Sequence, residues 1–241
     1  MTAGSNDTDL KEASKEATNS DPGTASDDFF NVVETTRSVR RRLDYDRPVE
    51  AEVLNRCIDA AVQAPTGLNQ EAWRFLVLTE DEPKRAVADL YRASMESLSD
   101  RLRDQLPPEM RDRKLPSERP TYVGLAENLH RMPALILVCS EGRPAPDNAA
   151  MQVAFYGSVL PAAWSLMLAL RASGLGTTWT TLLVTEEEKV AAALGIPEDV
   201  TQTILLPVAY TLGAILKPAK RKGAVEVTYW NRWAQTREAG D

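Results

Sequence analysis

The sequence predicts an α+β fold in which helices surround a central sheet, and three observations predict it. Short apolar or β-branched runs alternate with longer segments of helical periodicity. The helical segments outnumber the strands, of which there are about four. Hydrophobic residues make up 43% of the 241 positions and charged residues 26%, enough for one domain to build a real core.

The elements follow in order. Residues 1–28 hold no apolar run and are rich in Ser, Thr, Asp, Glu, Lys and Gly, with no signal-peptide pattern. They bury too little to offset their ordering entropy, so a disordered tail is expected there, ahead of a domain over 29–233 and a short tail over 234–241. Ser26, Asp27 and Asp28 offer N-cap groups to a helix carrying Phe29, Phe30, Val32 and Val33, which runs toward Arg37 and Ser38. From Pro48 onward, Val49, Val53, Leu54, Cys57, Ile58, Ala61 and Val62 recur at the spacing of an amphipathic helix. That helix must stop near Ala64, Pro65, Thr66 and Gly67, because the residue before a proline avoids the helical region.

Residues 73–79 read as a strand. Residues 83–131 read as helical, interrupted at Leu106-Pro107-Pro108 and Leu115-Pro116. The charge density there, with Arg101, Arg103, Asp104, Arg111, Asp112, Arg113 and Lys114, suits a lid over 85–130 and a plain surface helix pair equally. Residues 134–139 are short and apolar, a buried strand. Residues 149–170 carry no charge and are long enough to cross a bilayer. They include Gln152, Gly157, Ser158, Pro161 and Ser165, however, so a fully buried core or interface helix is expected instead. Gly174-Leu175-Gly176 breaks this helix, and residues 177–183 are β-branched enough for a strand. Thr185 with Glu188 forms a capping-box pattern for a helix ending near Gly195, and residues 203–210 are the last core strand. Residues 213–233 are first basic, then aromatic, and read as an extended C-terminal arm.

Composition excludes several functions. A net charge of −7 argues against broad nucleic-acid binding. Cys57 and Cys139 sit in apolar stretches with no CxxC or Cys/His spacing, as buried reduced thiols do. His130 is the single histidine, which removes His-rich metal sites; with no GxSxG nearby, a Ser-His-Asp triad has little to rest on. The expectation is a cytoplasmic protein with no metal, no nucleic-acid partner and no membrane span.

Four stretches carry candidate chemistry. Arg37-Ser38-Val39-Arg40, on a helical turn, would put two guanidiniums and a hydroxyl on one face for a phosphate; a solvated basic helix end explains it too. Pro65, Thr66, Gly67 and Asn69 offer backbone groups, a hydroxyl and an amide to a flat polar heterocycle, or form a simple helix-to-strand turn. Gly174 and Gly176 open a Thr-rich stretch through Thr180 and Thr181 and form no dinucleotide fingerprint. Lys217 to Lys222, with Arg221, is a second basic cluster that either is solvated or closes over the same anion as Arg37.

In this order, Arg-Ser-x-Arg, then Ala-Pro-Thr-Gly-x-Asn before Trp-x-Phe, then Gly-Leu-Gly-Thr-x-Trp, then a basic arm, the chain resembles the nitroreductase family of FMN enzymes over roughly residues 29–233. The segment from Leu206 to Thr211 and the ending Val227-Thr228-Tyr229-Trp230 fit that resemblance. It implies a nitroreductase-like α+β fold with a central, mostly antiparallel sheet and an entwined homodimer that binds FMN at its interface. It further implies that Arg37, Ser38 and Arg40 bind flavin, with Arg37 and Arg221 on the phosphate and Arg40 on the phosphate or the N1/C2-carbonyl edge. Pro65, Thr66, Gly67 and Asn69 would approach from the other subunit, and Thr180 and Thr181 would lie near N5. The implied activity is transfer of reducing equivalents from NADH or NADPH to a small-molecule acceptor: a nitroaromatic, quinone or enone. The alternatives on the same fold are a reductive dehalogenase, an oxygen-dependent flavin enzyme, or a flavin-binding sensory protein. Two departures stand out. Glu71-Ala72-Trp73 replaces the usual Gln-Pro-Trp, and Thr36-Arg37-Ser38 replaces Arg-Arg-Ser.

Overall fold

The computed structural model describes residues 27–105, 107–108, 115 and 118–237. Residues 1–26 of the tail expected over 1–28, the Ser26 cap, the charged run Arg111 to Lys114 and residues 238–241 lie outside the described residues, as do Leu106, Pro116 and the side chains of Asp27 and Asp28.

The elements run α1 (Asp27–Thr35), β1 (Leu43–Asp44), α2 (Ala51–Ala61), β2 (Trp73–Leu78), α3 (Asp81–Gln105), α4 (Pro120–Asn128), β3 (Ala134–Glu141), α5 (Ala149–Ala172), β4 (Leu175–Thr177), α6 (Glu187–Leu194), β5 (Val200–Thr211) and α7 (Ala224–Val227). The sheet order is β1-β5-β3-β2, β4 also pairs with β5, and every strand pair is antiparallel.

The sheet is covered on both faces, which explains why β3 is apolar throughout rather than alternating. Leu135, Leu137 and Cys139 face a core with Val87, Ala88 and Tyr91 of α3, Leu125 of α4 and Val190 of α6. Their neighbours Ala134, Ile136 and Val138 face the other way, into a core with Leu54 and Cys57 of α2 and Val159, Ala163, Leu166 and Leu170 of α5. Each fully buried Leu or Ile contributes about 1.5–3 kcal/mol through loss of apolar surface from water. Thr203 sits where the β3–β5 register shifts, and its hydroxyl donates to the Val138 carbonyl at 2.7 Å.

Helix α5 begins at Asn148, whose side chain accepts from the Met151 N–H at 3.1 Å. It is long and apolar enough to cross a membrane, and one stripe of it packs on the sheet. Met151, Val153, Tyr156 and Trp164 are exposed within one chain, so the expected burial as a core helix is corrected, whereas burial at an interface needs a second chain. A single sheet face accepts only the stripe at positions 159, 162, 163, 166, 167 and 170.

Two further expectations are corrected. The strand expected over 177–183 ends at Thr177; Thr180 makes an isolated bridge with Leu205, and Leu182–Glu186 is a 3-10 turn. The Thr185/Glu188 capping box does not form. The Thr185 hydroxyl donates to the Leu182 carbonyl at 2.9 Å instead, and α6 starts at Glu187 with no side-chain cap.

Both glycines of Gly174-Leu175-Gly176 have a physical reason. Gly174 has φ +78°, a left-handed residue that ends α5. Gly176 is a close approach: a Cβ there would meet Leu43 Cδ2 and Thr211 Cγ2 at 2.9 Å and Val39 Cγ1 at 3.1 Å. Gly176→Ala is therefore expected to destabilise the protein by about 1–3 kcal/mol, read as a lower urea midpoint with an unchanged slope.

Cys57 and Cys139 are free and buried. Burial, and secondarily the Glu187 carboxylate, push the Cys139 thiol from 9.0 up to about 12. The folded thiol keeps its proton where the unfolded one loses it. Its contribution to stability is thus whole below about pH 9 and is lost as pH rises toward 12. Native protein at pH 8 should leave a thiol reagent unreacted, and urea-unfolded protein should react at both cysteines.

Candidate active site

The Arg37-Ser38-Val39-Arg40 segment is extended, which corrects the helical turn expected there. The hydroxyls of Thr35 and Thr36 donate to the carbonyls four residues back, Asn31 and Val32, at 2.5 and 2.6 Å, and α1 ends at Thr35. The chain then lies along β4. Ser38 bridges Thr177, the Val39 N–H donates to the Thr177 carbonyl at 2.8 Å, and the Thr178 hydroxyl donates to the Val39 carbonyl at 2.8 Å. In an extended chain, side chains three apart point to opposite faces, so the two arginines separate. Arg37 folds back on α1, its guanidinium donating to the Thr36 and Glu34 carbonyls at 2.5 and 2.7 Å. Arg40 lies over the Tyr122 ring, 4.4 Å from its centroid, and its Nε is buried without a partner.

Arg40 faces a cleft of about 330 Å³ that Thr180, Thr181 and Trp179 also line. One wall is a single stripe of α3, namely Tyr91, Met95, Leu98 and Leu102, at spacings of one helical turn. Tyr122 of α4 and Leu182 complete it. Thr180 is held on both sides of its main chain: its N–H donates to the Leu205 carbonyl at 3.2 Å, and the Leu205 N–H donates back at 2.9 Å. Its hydroxyl lies 3.3 Å from the Tyr91 hydroxyl. Burial raises the Tyr91 phenol above its ordinary value, while the Thr180 hydrogen bond and then the Arg40 charge pull it down by less. Arg40 also lines a second, open cleft of about 500 Å³ with Ser38, Thr121 and the base of the C-terminal arm at Ala214 to Leu216.

The loop after α2 stands apart from these clefts. The Gly67 N–H donates to Ser158 Oγ of α5 at 2.9 Å, and Ser158 donates to the Ala154 carbonyl at 2.8 Å. Three non-glycine residues here are left-handed, with φ of 52° at Leu68, 55° at Asn69 and 49° at Glu71. Leu68 is 93% exposed, while Thr66 Oγ1 is buried without a partner. Thr66 and Gly67 line a separate cavity of about 220 Å³ with Phe155, Met151 and Ser158. Pro65 and Asn69 are exposed.

Of the residues singled out in the sequence, then, the fold brings Arg40, Thr180 and Thr181 into one cleft and Ser38 with Arg40 into the next, and it groups Pro65, Thr66, Gly67 and Asn69 elsewhere. Arg37 is turned away onto α1. Arg221 is exposed on the arm, and among the described residues the hydrogen bonds and ring contacts beyond Leu216 stay within residues 217–237. Tyr91, Tyr122 and the α3 stripe were not anticipated. The 91, 95, 98, 102 spacing was the signal, and it reads equally as core. His130 lines a polar cleft with Lys84, Arg85 and Arg131, and no metal-binding group of side chains occurs among the described residues.

Residues 33–210 match the nitroreductase family, and the chain belongs to that family. It is 29% identical to iodotyrosine deiodinase 1 of Rattus norvegicus over 201 residues, which are 82% of this chain and 67% of that protein. It is 26% identical to iodotyrosine deiodinase of Thermotoga neapolitana over 183 residues, 76% of this chain and 88% of that protein. The chain spans about two thirds of the length of the animal relatives, from 62% to 69%. A crystal structure of oxidized iodotyrosine deiodinase bound to FMN and 3-iodo-L-tyrosine matches with a TM-score of 0.63 at 23% identity, covering 85% of this chain and 100% of that one. This likeness shows the nitroreductase-like α+β fold.

Proposed function

We propose that the protein is an FMN-dependent oxidoreductase that acts as a homodimer and passes reducing equivalents from NADH or NADPH to a small aromatic acceptor. The carrying observation is Arg40: a cation with a buried, unpartnered Nε, in one cleft with Thr180 and Thr181. A buried donor left unpaired costs about 1–3 kcal/mol, a cost that a planar polar ligand with an electron-rich edge removes. The residues present therefore fit a flavin. Arg40 would face its N1/C2-carbonyl edge, Thr180 and Thr181 its N5 side, and Ser38 with Arg37 and Arg221 its phosphate; the last two arginines must first swing to it.

When bound, the flavin supplies hydride and electron transfer. The chain supplies the rest. Arg40 would stabilise negative charge at the ring edge, and Met95, Leu98 and Leu102 would keep water from the acceptor's face. Residues 85–130 would act as a lid, within which Arg103 forms an ion pair with Glu118 and the Leu115 N–H donates to Glu118 at 2.7 Å.

Two observations support a second copy. The loop of Pro65, Thr66, Gly67 and Asn69 shares no cleft with Arg40, as expected where each site draws on both chains. Exposed apolar side chains concentrate on α1, on α5 and on the arm: Phe29, Val153, Tyr156, Val227, Trp230 and Trp233 among them. The free thiols of Cys57 and Cys139 suit a reducing, cytoplasmic setting.

A second reading, favoured by the iodotyrosine deiodinase relatives, makes the acceptor a halophenol. Two electrons and a proton then convert the carbon–halogen bond to carbon–hydrogen and release halide.

Purified protein should be a dimer by light scattering and bind one FMN per chain. Arg40→Ala should weaken FMN binding about 10- to 100-fold by fluorescence titration; wild-type protein that takes up no FMN refutes the proposal. With FMN loaded, NAD(P)H oxidation driven by a nitroaromatic supports the first reading, and halide release from a 2-halophenol the second. Turnover of neither, with NAD(P)H failing to bleach the bound flavin anaerobically, marks a flavin-binding protein with little turnover.

A further inference from the structure

Tyr91 is 2% exposed, and a buried phenol must find a hydrogen-bond partner. Among the described residues that partner is Thr180, with the two hydroxyls 3.3 Å apart. A phenol is far more acidic than an aliphatic hydroxyl, so Tyr91 is the better donor of the pair. The Arg40 charge beside the phenol strengthens it as a donor, while burial keeps it protonated. The Thr180 oxygen also receives the Leu182 N–H in a longer contact of 3.5 Å. A hydroxyl has two lone pairs and one proton. With both lone pairs taken, the Thr180 proton is available to a further acceptor, and Thr180 lines the cleft. The main chain cannot turn it away, because the Thr180 N–H and carbonyl are both engaged by Leu205.

From this geometry we infer that Tyr91 is a positioning residue that makes Thr180 a committed hydrogen-bond donor to an acceptor atom on the edge of the bound flavin ring. The inference rests on the FMN reading above. It assigns opposite functions to two hydroxyls of one cleft: Tyr91 touches no ligand, and Thr180 presents the proton. Tyr91→Phe keeps the ring that packs with Leu125 and Leu129 and removes only the hydroxyl. Thr180, freed to rotate, then donates elsewhere part of the time.

The test uses FMN-loaded protein and compares Tyr91→Phe, Thr180→Val, Thr180→Ser and the Tyr91→Phe/Thr180→Val double variant. The readouts are the midpoint potential and absorption spectrum of bound FMN, with turnover and melting temperature alongside. Tyr91→Phe should move the potential and spectrum in the same direction as Thr180→Val, by less, and lower turnover about 3- to 10-fold. The double variant should match Thr180→Val, since one hydrogen-bond chain is broken only once, and Thr180→Ser should restore the wild-type values. A potential and spectrum unmoved by Tyr91→Phe, or shifts that add in the double variant, overturn this inference while leaving the FMN assignment standing. Wild-type protein that takes up no FMN overturns both. Should Tyr91→Phe not accumulate, Thr180→Val against Thr180→Ser decides: equal potentials would show that the Thr180 proton reaches no acceptor.

Discussion

The polar groups of the candidate site, Arg40 and Thr180, are both anchored through main-chain pairing that leads back to strand β5. One edge of β5 pairs with β3 from Val200 to Val208. Val208 to Tyr210 also pair with β4, and the segment from Ser38 to Arg40 is in turn hydrogen-bonded to β4. Leu205 holds Thr180 by two main-chain bonds. Main-chain ladders fix position more tightly than side-chain packing does, so Arg40 and Thr180 share one rigid reference although they lie far apart in sequence. β5 tolerates this service because its side chains are buried on both faces, and its backbone groups have strand partners rather than water.

That arrangement explains what could be read from residues alone. A short apolar run such as 134–139, bounded by a proline and polar residues, reads as a strand covered on both faces, and a long uncharged helix reads as one with a face to bury. The two glycines at 174 and 176 were legible as a break; their separate reasons, a left-handed turn and a crowded approach to Leu43 and Thr211, depend on chains distant in sequence. The arginine segment was misread for a comparable reason. Spacing of three suggests a helix face only if the backbone is helical, and the threonines at 35 and 36 end α1 one turn early. Thr178, Thr180 and Thr181 have strand propensity, yet this stretch leaves β4 after Thr177, because tertiary placement outweighs propensity.

The candidate site was legible as a set of segments, not as an arrangement. Motif order named Ser38, Arg40, Thr180 and Thr181 without indicating that a helix stripe forms the opposite wall. Tyr91, Met95, Leu98 and Leu102 have the spacing of ordinary core positions, and their upper half is core. The lower half becomes a cleft wall because Leu98 and Leu102 are only partly covered. No periodicity records which half of a stripe the rest of the fold leaves uncovered. The same holds for Arg221: its charge was visible, but its exposure on an arm that touches little of its own chain was not.

The loop from Thr66 to Glu71 has a consequence for how this protein can change over generations. Leu68, Asn69 and Glu71 occupy a backbone region in which glycine would be at ease, and the loop is tethered to α5 by the Ser158 hydroxyl. Glycine at any of the three would relieve local strain but would also enlarge the ensemble of the unfolded chain and loosen the loop. Ease of folding and stiffness of the loop thus pull in opposite directions at the same three positions. Drift at Ser158, remote in sequence from the loop, would release that opposition in one step.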